Sequence, residues 1–375
     1  MFPKLRFKEF DGDWLKLKYK DVLTIKYGKD HKSLNDGDIP VYGTGGLMRH
    51  VNKYLYDGES ILIGRKGTID KPKYINEKFW TVDTLFYTEI EESIVPLFLY
   101  QHALEVNWLG LNEATGVPSL NTTSIYNIDI SIPSKEEQTK IASFLSNVDE
   151  KISQLTQKLE LLSQYKQGMM QKLFSQQIRF RADDGSEFGE WETTTLGQTG
   201  KFIGGGTPSK ENSEFWEGSI PWISSSDLTE ESIFKINITR FISQNALNQS
   251  ATKLVPANSI LIVSRVGVGK VAITPNEICT SQDFTILTLH KGSSIFFAYL
   301  IKSLTPYLLE MNQGTSIKGF IKDDLANLEL KIPCIEEQTK IANFLSAIDQ
   351  KIEVVAQQIE QAKQWKKGWL QQMFV

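Results

Sequence analysis

IPSKEEQTKIASFLSNVDEKI, residues 132–152, returns as IPCIEEQTKIANFLSAIDQKI at residues 332–352. The offset of 200 residues holds without a gap from Thr115 and Thr315 to Phe174 and Phe374, and about half the positions from Ile132 onward are identical. A repeat of this length sets the architecture before any local reading, because one folding unit present twice builds two similar bodies. After each proline the apolar residues recur at alternating steps of four and three. They are Ile141, Leu145, Val148, Ile152, Leu155, Leu159 and Leu162, then Ile341, Leu345, Ile348, Ile352, Val355, Ile359 and Ala362. That spacing lays one apolar seam along a helix, as in a coiled coil. Each helix is expected to run for about 40 residues, on the order of 60 Å. Pro133 and Pro333 close strand-like runs at 128–132 and 328–332, because the residue before a proline is held extended. Ser134 and Glu137 form a capping-box pattern, with Cys334 in the serine's place in the copy.

The second unit has its own start. Ile178-Arg179-Phe180 and the later Trp191 echo Leu5-Arg6-Phe7 and Trp14. The two tryptophans are 177 residues apart, so the middle of the second unit is longer by 23 residues. The middles match only in places, such as Ser60-Ile61-Leu62-Ile63 with Ser259-Ile260-Leu261-Ile262. A shared frame therefore carries two divergent globular parts. The expected fold is α+β, with two mixed α/β globular domains separated by two long helices packed as an antiparallel coiled coil, a pseudo-twofold internal repeat. The expected division is a first globular domain at 1–131 (with an N-terminal segment 1–14), a spacer helix at 132–177, a second domain at 178–331 and a second helix at 332–375. Strand candidates are Ser60–Ile63, Trp80–Tyr87, Ser259–Val263 and Phe284–Leu289, short, β-branched and bounded by turn residues.

Three polar, glycine-bearing loops recur in each unit. The first has Tyr42-Gly43-Thr44-Gly45-Gly46, Gly64-Arg65-Lys66-Gly67 and Thr115-Gly116-Val117-Pro118-Ser119. The second has Gly204-Gly205-Gly206-Thr207-Pro208-Ser209, Ser264-Arg265-Val266-Gly267 and Gly314-Thr315-Ser316-Ile317-Lys318. Glycine admits close backbone approach, and Arg, Lys, Ser, Thr and Tyr contact phosphates or base edges. The same residues also suit ordinary turns between strands. Tyr42, Thr44, Arg65, Lys66, Ser119, Thr207, Ser209, Arg265, Thr315 and Lys318 of these loops, and Ser225 outside them, are the candidate DNA contacts.

Composition sets limits. The net charge is −4 and the isoelectric point about 5.8, which weighs mildly against nucleic acid unless the contacting surface is local or a partner adds charge. Cys279 and Cys334 are too few for a disulfide framework or a zinc site. No run of apolar residues reaches the ~18 that a membrane span needs, and the first residues lack a signal peptide's apolar core, so a reduced cytoplasm is expected. Val266-Gly267-Val268-Gly269-Lys270 fails as a phosphate-binding loop, since Ser264 stands where glycine is required and Val271 where Ser or Thr is. The four histidines, His31, His50, His102 and His290, are scattered. No constellation points to catalysis by this chain.

The duplicated helix opening Ile-Pro-x-x-Glu-Glu-Gln-x-x-Ile-Ala-x-Phe-Leu, with Gly205-Gly206-Thr207-Pro208, Ile220-Pro221-Trp222-Ile223-Ser224 and Asp227-Leu228, resembles the specificity subunits of type I restriction-modification enzymes. The first unit departs from this pattern: it lacks the Gly-Gly-Thr-Pro loop, and Pro40-Val41-Tyr42-Gly43 replaces Ile-Pro-Trp-Ile-Ser. The resemblance implies that each globular part is a target recognition domain reading half of an asymmetric bipartite site in double-stranded DNA. It implies helices that set the spacer and dock two modification subunits, with restriction subunits joining the full complex. The assembly would use S-adenosylmethionine, ATP and magnesium, none bound by this chain. The competing reading is a coiled-coil adaptor with two protein-binding domains, which the acidic balance favours and the paired polar loops oppose.

Overall fold

The computed structural model describes residues 3–311 and 319–374. They form two compact units: residues 1–157 with 355–375, and residues 158–354. The division does not follow chain order, since the final segment folds with the first unit.

In the first unit β1 (Leu15–Lys18) pairs antiparallel with β8 (Asp129–Ile132). Between them lie β2 (Leu23–Tyr27), β3 (Ile39–Gly43), β4 (Gly46–Val51), β5 (Tyr56–Gly64), β6 (Lys73–Thr81) and β7 (Leu85–Ile90), a six-stranded sheet in the order β2-β7-β5-β6-β3-β4. All its pairings are antiparallel except the short parallel join of β3 to β6. Helices α1 (Pro96–Ala103) and α2 (Thr122–Tyr126) follow, and then α3 (Lys135–Phe174). The expected strand at 80–87 is instead the end of β6, a corner at Val82–Thr84 and the start of β7. The apolar run hides the corner because Val82 and Leu85 are both buried there.

The second unit repeats this plan. It contains β9 (Glu192–Thr195), α4 (Leu196–Thr199), β10 (Gly200–Gly204), β11 (Ile220–Ile223), β12 (Arg240–Ile242), α5 (Gln244–Gln249), β13 (Ile260–Val263), β14 (Val271–Ile273), β15 (Cys279–Thr280) and β16 (Phe284–Leu289). They are followed by α6 (Ser294–Met311), α7 (Lys322–Ala326), β17 (Glu329–Ile332) and α8 (Ile335–Met373). Strand β17 pairs with β9, as β8 does with β1. The sheets run β10-β16-β13-β14 and β12-β11-β15. Laid on the first unit, β14 and β15 are the two ends of a single β6: one pairs antiparallel with β13, the other parallel with β11. Pro275 lies in the break and has no N–H for a continuous ladder.

The long helices have the lengths that the seam required, 40 and 39 residues. Ile141, Leu145 and Leu155, and Ile341, Leu345, Ile348, Val355, Ile359 and Ala362, are buried. The pairing is antiparallel inside each unit. In the first, Phe144 of α3 meets Trp369 of α8 edge-on, and Lys366 reaches Asp149 at 2.7 Å. In the second, Lys166 of α3 reaches Asp349 of α8 at 2.5 Å. These two ion pairs are the same pair with the repeats exchanged. Each core is completed in the same crossed manner. Leu370 and Met373 enter the first unit's core beside Trp14, Phe98 and Leu145, while Met170 and Leu173 enter the second's beside Trp191, Phe296 and Leu345.

The repeated motif explains itself here. Glu137 and Glu337 are 1% and 0% exposed. Each accepts a two-pronged bond from an arginine of its own unit's start, Arg6 at 2.8 Å and Arg179 at 3.1 and 2.7 Å. Each arginine also donates to a loop carbonyl, Gly12 or Gly189. A buried carboxylate needs such a partner, and the fork geometry of Arg supplies it. The Ser134 hydroxyl accepts from the Glu137 N–H at 3.3 Å, but the glutamate turns to Arg6, so only half of the expected capping box forms. Gln138 and Gln338 accept from Val95 N and Ser293 N at the starts of α1 and α6 and donate back to Pro133 O and Pro333 O. The motif therefore ties helix, entry strand and unit start together.

Candidate nucleic-acid interface

One edge of each sheet gathers the loops, and the same five backbone bonds hold it in both units. Lys29 N–H donates to Thr81 O as Gly206 N–H does to Thr280 O, and Val82 N–H to Tyr42 O as Ser281 N–H does to Ile223 O. Leu85 N–H donates to Val82 O as Phe284 N–H does to Ser281 O, Arg65 N–H to Thr84 O as Ser264 N–H does to Asp283 O, and Leu120 N–H to Arg65 O as Phe320 N–H does to Ser264 O. These bonds fix the equivalences without reference to side chains.

Lys29-Asp30-His31-Lys32 therefore stands where Gly206-Thr207-Pro208-Ser209 stands, and the first unit does have a counterpart of the Gly-Gly-Thr-Pro loop. Gly28 and Gly205 lie at matching places under it, where a Cβ would overlap the carbonyl of Val82 or Ser281. Arg265 is the counterpart of Lys66, and Arg65 is matched by Ser264. Asp83 is matched by Gln282, Thr44 by Ser225, and Arg49 by Arg240, which pair across from Val41 and Trp222.

The edge of the first unit is an open cleft of about 750 Å³ whose lining includes Asp30, His31, Lys32, Thr44, Asp83 and Thr84. Arg65 lies beside it, its guanidinium 5.4 Å from the Tyr27 ring centroid and donating to Asp83 O at 3.1 Å. Lys66 is exposed and bridges in backbone to Ser119, whose own N–H donates to Asn112 at 2.9 Å. The structure thus brings Thr44, Arg65, Lys66 and Ser119 to one edge. Tyr42 is apart from them. It packs on the sheet beside Leu62 and Phe79, its hydroxyl donates to Glu77 at 2.7 Å, and burial with that carboxylate pushes it up to about 12.

In the second unit Thr207 donates to Gln282 at 2.5 Å, Ser209 is exposed and takes the Trp216 indole N–H on its carbonyl at 3.0 Å, and Arg265 is exposed. Ser225 is 8% exposed and offers its carbonyl to the Lys270 ammonium at 3.2 Å. Its hydroxyl therefore offers little surface; the tight turn at Ser225–Asp227 faces it inward, and Lys270 is the group it positions. Arg240 caps that turn, bonding Ser224 at 2.7 Å and Asp227, with its guanidinium 4.6 Å from the Trp222 ring centroid. Thr315 and Lys318 lie outside the described residues. Sequence reasoning missed Lys29, Asp30, His31, Lys32, Asp83, Arg240, Lys270 and Gln282. Carrying the 177-residue offset of Trp14 and Trp191 forward to Gly28 and Gly205 would have found the first four.

Among the described residues no cluster of His, Cys, Asp and Glu is arranged to hold a metal, and no helix is long and apolar enough to cross a membrane.

Comparison with known proteins places this arrangement. The family model described as type I restriction modification DNA specificity domain matches residues 11–164 and again 189–364. The putative type I restriction enzyme MjaX specificity subunit of Methanocaldococcus jannaschii is 29% identical over 98% of this chain and 94% of its own length. The MjaIX specificity subunit of the same organism is 32% identical over 44% of this chain and 39% of its own. The crystal structure of the S subunit of a type I restriction-modification system from M. genitalium superposes with a TM-score of 0.67 at 16% identity, covering 100% of this chain and 99% of that one. The last likeness concerns the fold.

Proposed function

Because this chain belongs to the family of type I restriction-modification DNA specificity subunits, we propose that it binds double-stranded DNA through the loop edge of each unit and gives a methyltransferase its sequence address. The observation that carries this reading is the edge itself. One backbone frame presents Asp30, His31, Lys32, Lys66 and Asp83 in the first unit and Thr207, Ser209, Arg265, Lys270 and Gln282 in the second. A shared frame with different side chains suits two unlike half-sites, because phosphate contacts set position while side chains at base edges set sequence.

The chain contributes address and not chemistry. Methyl transfer with S-adenosylmethionine belongs to two modification subunits, and ATP- and magnesium-dependent work to restriction subunits that join them. Partner charge then supplies much of the phosphate attraction that a net charge of −4 does not. Tyr165 and Trp365, one repeat apart on α3 and α8, are 51% and 61% exposed. Each gives its helix an aromatic anchor of the kind that protein interfaces favour, and we assign them to docking of the modification subunits.

Methylome sequencing of a host carrying a cognate modification subunit, with and without this gene, tests the reading. A bipartite, asymmetric methylated motif should appear only with the gene. An active, bound modification subunit that gives no gene-dependent methylation would refute it and favour an adaptor.

A further inference from the structure

Asp83 and Gln282 occupy one structural position, the exposed middle of the corner that ends β6 in the first unit and β15 in the second. Neither side chain is needed to make the corner, which is closed by backbone bonds on both sides. Resting on the DNA-specificity reading, we propose that this corner side chain is a base-reading residue in each unit. Asp83 accepts a hydrogen bond from an exocyclic base amino group in the major groove. Gln282 makes the paired donor and acceptor contact that fits adenine, with Thr207 as its positioning residue.

Four observations carry this. First, the corner is rigid: Gly28 and Gly205 press against it, Arg65 holds the Asp83 carbonyl at 3.1 Å, and the Ser281 hydroxyl donates to Asp283 at 3.0 Å. A side chain on such a support is held in place before DNA arrives, which is what discrimination between bases needs. Second, the Thr207 hydroxyl pins the Gln282 amide at 2.5 Å. One lone pair on Oε1 and both Nε2 hydrogens remain, and these are the groups that pair with adenine N6 and N7.

Third, Asp83 shares its cleft with Asp30, Lys32, His31 and Thr44. Phosphates repel a carboxylate, so an exposed Asp in a DNA-facing cleft is tolerated where it aims at a base donor, the amino group of cytosine or adenine. Lys32 and Arg65 nearby offset the repulsion. Fourth, acid in one unit and amide in the other is the kind of difference that makes the two half-sites unlike on an identical frame.

The test uses the full chain with its modification subunit, as wild type and as Asp83→Asn, Gln282→Glu and Thr207→Val. Asp83→Asn should change one base position of one half-site in the methylome, and Gln282→Glu one position of the other. Thr207→Val should relax the position that Gln282→Glu alters and leave the rest of the motif intact, which loss of packing alone does not do. In the purified complex, preference for the matched over the singly substituted duplex should fall about tenfold to a hundredfold. An unchanged motif and unchanged preference in both Asp83→Asn and Gln282→Glu overturns the proposal. So does equal loss of binding to every duplex, randomised ones included. Absence of gene-dependent methylation by the wild type instead strikes at the DNA-specificity reading itself.

Discussion

The two crossed ion pairs of the helices are equivalent by repeat yet differ in burial, and that difference fixes unequal costs for equivalent substitutions. Lys166 and Asp349 are each 8% exposed, and Asp349 also accepts from the Tyr299 hydroxyl at 2.5 Å. Asp349→Ala would strand a buried ammonium and a buried phenol. Removing one partner of a buried pair costs about 3–5 kcal/mol. In the first unit Asp149 is 41% exposed opposite a Lys366 that is 13% exposed. Water can enter from the open aspartate side, but Lys366 and the buried Gln101 amide, which donates to Asp149 at 3.1 Å, both lose a partner, so Asp149→Ala should cost less than Asp349→Ala, about 1–2 kcal/mol. At ~2–4 °C per kcal/mol for units of this size, Asp349→Ala should lower the unfolding midpoint of the second unit by roughly 6–20 °C. Asp149→Ala should shift the first by roughly 2–8 °C on the same scale. Calorimetry or circular dichroism melting of the two single variants measures both. The double substitution Lys166→Met with Asp349→Leu should restore part of the loss, because a matched apolar pair leaves no charge behind and only the Tyr299 hydroxyl unpaired. Equal small shifts for the two aspartates would show that burial does not set the value of these pairs, and would refute the reasoning.

Other expectations follow from the same structure. Burial, with Lys166 adding to it, holds Lys302 down at about 8; the folded state then binds fewer protons than the unfolded one between that value and the ordinary 10.5. Wild-type stability should therefore rise with pH through that window, and melts of Lys302→Met across it should show the slope reduced. Burial likewise lowers His102 to about 4, neutral beside the Tyr19 hydroxyl at 2.9 Å. Its contribution is present above pH ~6.5 and lost as pH falls toward 4, so acid melts of His102→Gln should lose that part of the slope. Arg265→Ala and Lys66→Ala, at one structural position, should each weaken duplex binding by about 1–3 kcal/mol if they touch bases and flatten the salt dependence if they touch phosphate; unchanged affinity in both would remove them from the interface. Inserting one heptad into both α3 and α8 should alter the spacer and leave both half-sites as they were, and a methylome with the old spacer would refute the ruler.

The helices were legible in the sequence because a seam repeating over about six turns leaves few alternatives, and the extents of α3 and α8 agree with it. What the seam could not show is that Lys166 and Lys366 continue it, since a lysine reads as solvent-facing until its aspartate is placed opposite. The Leu-Arg-Phe and Ile-Arg-Phe starts were visible as an echo. Their reason was not, because Arg6 finds Glu137 only through the fold. The loops were the least legible part. Glycine content marks turns of many kinds, whereas the backbone bonds that equate Asp30 with Thr207 and Asp83 with Gln282 join strands distant in sequence. Ser225 stands in a polar Ser-Ser-Ser-Asp run that reads as exposed, but the turn at Ser225–Asp227 leaves it 8% exposed.

The crossed completion of the cores has a consequence during synthesis. The first unit holds residues 1–157 and also residues 355–375, so its core lacks Leu370 and Met373 until the chain has been made through them. The second unit closes with residue 354 and is complete sooner. The first unit is therefore expected to finish folding after the second, with its sheet waiting for the end of α8. A chain truncated after residue 354 and free of the ribosome should already protect the second unit from proteolysis while the first remains open to it.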